Sequence, residues 1–178
     1  MTEFTSPQIL TDTPRKSRIA KLRPAVIVIA PLLAILFQVY IPQLIPHLAF
    51  LELPLLVTVY FALMRRSPIA GVFFGAGIGL LEDSVSHQPL GVFGIVKTLV
   101  GYFAGSVSLR FDVDNIFIRF ILSFFFFFFH QFFYWVLDRA LLGHLTDFDP
   151  QQTLVFGLLN AAVAMPLYLI LDKMRTTE

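Results

Sequence analysis

Long apolar runs alternate with short polar breaks along this chain. After a polar opening, the runs read PAVIVIAPLLAILFQVYIP, LELPLLVTVYFAL, a third from 68 through GVFFGAGIGLL to Glu82 and Asp83, and a fourth from 89 to about 109. IFIRFILSFFFFFFHQFFYWVLDRALLG and a final run from about 153 to 171 complete the set. Most come near the ~20 residues a helix needs to cross ~30 Å of hydrocarbon. The pattern predicts an all-α, polytopic membrane protein: a six-helix transmembrane bundle over 24–174, a basic unordered tail at 1–23 and a short C-terminus at 175–178. Pro31 is expected to kink the first helix, which lipid-embedded helices tolerate. Pro68 suits a first helical turn, and the fifth run is long enough that it must tilt or protrude.

Composition sharpens this picture. Of 178 residues, 57% are hydrophobic and 14% charged, against an apolar share of about 45–50% in soluble domains. With no cysteine, disulfides, thiolate metal sites and thiol chemistry are excluded. The run after Pro24 is longer than a signal peptide's apolar core, and no small-residue cleavage site follows it. The net charge of +1 conceals an asymmetry. With six crossings, the basic tail, Arg65, Arg66, Arg110, Lys173 and Arg175 fall on one side, and Arg139 on the other. The positive-inside rule then makes both termini cytoplasmic. The tail is read foremost as that topology signal, with attraction to anionic lipid as the second reading.

The polar residues inside the runs fall on faces. At about 100° per residue, Gly71, Gly75, Gly79, Glu82 and Asp83 share one side of the third helix. Gly91, Gly94, Lys97, Gly101 and Gly105 form a stripe on the fourth. Small residues let membrane helices approach closely, and the short SVSHQ turn makes the two antiparallel neighbours. Lys97 is expected to pair with Asp83 or Glu82, with Glu52 as a rival partner. On the fifth helix Arg119, Ser123, His130, Tyr134 and Asp138 share a face, which turns most phenylalanines outward. Phe124, Phe125, Phe128 and Phe129 are then candidates for lipid or partner contact. His130 reads as a hydrogen-bonded structural histidine, ahead of a proton relay or metal ligand, because no second histidine stands at ligand spacing. Asn160, flanked by Gly157, Ala161 and Ala164, is expected to join helices.

Enzyme signatures are missing. There is no HExxH helix, GxSxG elbow or phosphate loop ending in Lys-Ser/Thr. Glu82 and Asp83 are adjacent and diverge on a helix, a poor acid–base couple. No cofactor, metal or nucleic-acid partner is expected.

PLLVTVYFALMRR followed by GVFFGAGIGLLEDSVSHQPLGVFGIVKTLVGYFAG resembles the bacterial rod-shape-determining membrane protein family MreD. The matching positions are Pro54, Tyr60, Gly75, Gly79, Asp83, Pro89, Leu90, Gly91, Gly101 and Tyr102, within a likeness that covers 24–174. Glu82 beside Asp83 departs from the family pattern, and the role of Lys97 comes from spacing alone. The resemblance implies a non-enzymatic part in the inner-membrane machinery that elongates the cell by lateral peptidoglycan synthesis. It implies binding of the single-span, coiled-coil partner MreC. Through that partner it implies work with the MreB filament, the SEDS glycan polymerase and its transpeptidase, in an assembly open to higher-order heteromers. It also implies a fold like the S components of energy-coupling-factor transporters, which supplies the rival function of vitamin binding. Ala30-x-x-x-Ala34 would suit docking to a coupling subunit, but the short outer turns are expected to bring few convergent polar groups to a pocket.

Overall fold

The computed structural model describes residues 21–86, 89, 91–144 and 147–176. The rest of the basic tail, residues 87–88, Leu90, residues 145–146 and the last two residues lie outside the described residues. Six α-helices occur among the described residues: α1 Pro24–Leu44, α2 Leu53–Arg65, α3 Pro68–Val85, α4 Val92–Val107, α5 Ile116–Leu141 and α6 Pro150–Lys173. A 3-10 turn at Pro46–Leu48 leads into α2.

The helix starts follow local chemistry. Proline opens α1, α3 and α6, where its missing N–H is no loss. Ser67, Asn115 and Asp149 accept hydrogen bonds from the exposed first-turn amides of α3, α5 and α6. Arg66, in the left-handed region at φ 47°, ends α2. Pro31 and Pro42 are accommodated inside α1, and Pro166 inside α6.

The core forms around α2. Every residue from Pro54 to Met64 is buried, because α1, α3, α4, α5 and α6 all pack on it. A helix apolar on all sides is stable only in such a position. Outer faces carry the lipid-facing bulk, including Val28, Leu32 and Leu33 on α1 and Phe73 on α3. Among the described residues five stretches are long and apolar enough to cross a membrane, α2 counted with its leading turn. The fourth span differs from its expected 89 to 109, because α4 holds only 16 helical residues. The helix starts only after Gly91, its N-cap at φ 100°, and after Val107 the chain breaks into turns. The last helix begins three residues earlier than expected, at Pro150, where Asp149 caps it.

Lys21–Leu22 (β1), placed in the tail by sequence, pairs antiparallel with Arg175–Thr176 (β2). The two ends of the domain are therefore joined side by side.

Candidate functional site

The α3–α4 hairpin carries the densest polar chemistry. A β-carbon on Gly71 would fall on the carbonyl oxygen of Gly101, and one on Gly75 on that of Lys97. Gly79 would meet the backbone of Phe93 and Gly94, and Gly105 that of Ser67 and Pro68. The helices touch main chain to main chain, as small-residue stripes permit. Gly94 faces the Leu80 side chain instead. Gly91, grouped with the packing glycines by sequence, differs: a β-carbon there would meet nothing within 4 Å, and its φ of 100° makes it the left-handed residue that turns the chain into α4.

Glu82 and Asp83 diverge by about 100° and so meet different partners. Asp83 Oδ2 accepts from the amides of Gly91 and Gly94, each at 2.9 Å, and Oδ1 from Phe93 at 3.1 Å. The start of α4 has no capping side chain of its own, and Asp83 supplies one from the neighbouring helix. Its charge also sits at the positive end of the α4 dipole. Asp83→Ala strands three amides, one buried and two half-buried, and is expected to cost about 2 kcal/mol, read as a lower unfolding temperature. Asp83→Asn, which keeps one acceptor, should recover part of that loss.

Lys97 and Glu82 are both buried, and their charged atoms lie 2.7 Å apart. The ammonium also sits 4.3 Å from the centre of the Phe93 ring, a favourable position for a cation. Of the carboxylates open to Lys97 in the sequence, Glu82 therefore takes it directly. Glu52 lies near enough to feel Lys97 and Glu82 electrostatically, without an ion pair to Lys97 among the described residues.

Around this pair the fifth and sixth helices add polar contacts. Arg119, Ser123, His130 and Asp138 are buried, as a shared inward face requires. Ser123 donates to Tyr168, which donates to the Leu56 carbonyl of α2. Asp138 meets His144 at 2.9 Å. Asn160 accepts from the Glu52 amide at 2.9 Å and donates to the Phe50 carbonyl at 2.7 Å, pinning the start of α2 to α6. His130 corrects the sequence reading: neither ring nitrogen has a hydrogen-bond partner, and the ring lies alongside Phe93 and Tyr134, which stack on each other at 5.2 Å. Among the described residues no His, Asp and Glu cluster is placed to hold a metal ion.

The phenylalanine run is also corrected. Phe126 and Phe127 lie in the core, being three or four residues from both Ser123 and His130. Of the four candidates for outward contact only Phe125 is exposed. Phe124 lies against Gly157, Phe128 against Phe148, and Phe129 against Phe103 and Phe133.

Two further features escaped sequence reasoning. At the basic end, Arg119 bridges to Asp172 at 2.5 Å and Arg175 to Asp172 at 2.9 Å, while Tyr60 donates to the same carboxylate at 2.8 Å. Arg66 reaches Asp114 at 3.4 Å. The two aspartates amid the arginines were the available signal. At the opposite end, a cleft of about 530 Å³ opens between the 3-10 turn, α5 and α6, lined by Glu52, Gln131, Gln152 and Thr153 among others. Of the short outer turns weighed in the sequence, IPQLIPH contributes His47 as its one polar residue, so the polar lining exceeds what those turns bring. The groups come from helix ends as well as from turns.

The fold and these contacts define a multi-pass membrane protein whose buried charges are largely satisfied by one another and by backbone. The family described as rod shape-determining protein MreD matches residues 20–176, and the chain belongs to that family. Its role accordingly lies in rod-shape determination. No curated protein and no solved structure matches the chain.

Proposed function

We propose that this chain is a non-enzymatic scaffold of the bacterial inner membrane, serving the machinery that elongates the cell by lateral peptidoglycan synthesis. Its direct partner in this reading is a single-span, coiled-coil protein of the MreC type. The MreB filament, the SEDS polymerase and the transpeptidase are reached through that partner. The positive-inside rule supports cytoplasmic termini, since Arg66, Arg110, Lys173 and Arg175 share the end where β1 and β2 pair.

The observation that carries the proposal is how the intramembrane charges are used. Lys97 is held by Glu82, and Asp83 caps α4. Charges placed this way rigidify the bundle and leave its apolar exterior for contact with other helices. On α5 that exterior is a ridge of Phe117, Ile121, Phe125 and Phe132, all exposed. We assign the partner helix to this ridge. The rival reading, a vitamin-binding S component, gains from the outer cleft, so the preference for a scaffold rests on family membership and on the paired charges.

Solubilised protein is expected to bring down its single-span partner. Placing serine on the ridge, as Phe125→Ser combined with Ile121→Ser, should weaken that capture while leaving the unfolding temperature of the isolated chain nearly unchanged. Undiminished capture would remove the ridge from consideration. Failure to capture any such partner, with a vitamin retained one-to-one by the isolated chain, would favour the rival.

A further inference from the structure

Glu52 stands where a helix-capping side chain would be expected, immediately before α2, yet its carboxylate caps nothing. Its backbone amide is fixed by Asn160, so the residue is positioned even though its side chain holds no amide of the helix it precedes. Oε2 is closed off from solvent without a hydrogen-bond partner, an arrangement that is costly for a carboxylate. The side chain lines the cleft of about 530 Å³, within the size range of ligand pockets. The same cleft is lined by Gln131, Gln152 and Thr153 and by the stacked rings of Phe50 and Phe156, whose centroids are 5.4 Å apart.

A second hollow of about 480 Å³ adjoins the first, sharing Gln131, Gln152 and Thr153. Tyr134, Trp135, Asp138, Asp147 and Asp149 line it. The joined trough thus holds four carboxylates and two histidines, His47 and His144, and no lysine or arginine among its lining residues. Arg139 stands nearby, over the Trp135 ring at 5.7 Å, exposed and outside the lining. Carboxylates together with aromatic faces attract organic cations through charge and through the ring quadrupole.

We propose that this trough is a binding site for an ammonium-bearing group, with the Glu52 carboxylate as its anionic contact and Gln131, Gln152 and Thr153 as hydrogen-bonding walls. A small local shift of Glu52 brings its closed-off oxygen to the ligand. This goes beyond the scaffold role and does not depend on it: the site lies at the end of the bundle opposite the β1–β2 pair, and it meets the α5 ridge only where Phe132 touches Trp135 and Phe148.

Trp135 is the chain's sole tryptophan and lines the trough, so its emission reports occupancy directly. Full-length protein in nanodiscs of uncharged lipid is titrated with cadaverine, with a short lysine-containing peptide, and with pentane-1,5-diol at matched ionic strength. A saturable change in emission is expected with an amine and none with the diol. Glu52→Gln should bind the amine roughly tenfold more weakly or worse. A stronger response to the peptide identifies a partner polypeptide's lysine as the source of the ammonium, and a stronger response to cadaverine identifies a free amine. Gln152→Lys, at an exposed position in the trough wall, offers a tethered competitor and should abolish the response, which keeps the test decisive if Glu52→Gln does not fold. The proposal is overturned if neither amine gives a saturable change, or if the change persists equally in the folded variants.

Discussion

Lys97→Met alone is expected to destabilise the bundle by about 3–5 kcal/mol, the cost of leaving a buried charge without its partner. Lys97→Met together with Glu82→Met should recover most of that loss, because two apolar side chains of similar volume replace the pair without stranding a charge. The contact that makes this specific is the 2.7 Å approach of Lys97 to Glu82, both buried between α3 and α4. Combining Lys97→Met with Asp83→Asn should instead add losses, since Asp83 is bonded to backbone amides of the α4 start. Thermal unfolding of the solubilised variants and their amounts in the membrane give the comparison. Equal stability of the two double variants would show that Glu82 is no more the partner of Lys97 than Asp83 is.

Gly75→Val is expected to be at least as damaging. Overpacking a core commonly costs about 1–3 kcal/mol, relieved in part by side chains that move aside. At Gly75 the obstacle is the backbone of Lys97 and Thr98, which cannot rotate away, so α3 and α4 must separate. That separation would also pull Glu82 from Lys97. Gly77→Val, two residues along the same helix, is the control, because a β-carbon there meets nothing within 4 Å. Unfolding temperatures of the two variants should therefore diverge widely; a similar fall in both would contradict the close main-chain packing of this hairpin.

Much of the fold was legible because bilayer thickness sets the length of an apolar run. The glycine stripes were legible too, since helical spacing alone aligns Gly71, Gly75 and Gly79. The choice between Glu82 and Asp83 was not, because it depends on how the left-handed turn at Gly91 brings the start of α4 back over α3. One sign was present: Pro-Leu-Gly-Val-Phe-Gly contains no capping side chain, so the new helix had to borrow one. Six consecutive phenylalanines have no periodicity of their own, and only their spacing from Ser123 and His130 places Phe126 and Phe127 inward. For His130 the pattern located a polar residue on an inward face but held no information on its neighbours, which proved to be rings. The Glu52 cleft was invisible because three segments far apart in the chain build it.

The antiparallel pairing of Lys21 with Thr176 and of Leu22 with Arg175 closes the polypeptide almost into a ring. The chain therefore enters and leaves residues 21–176 at one place. Groups attached directly at the two strands are thereby held within reach of one another.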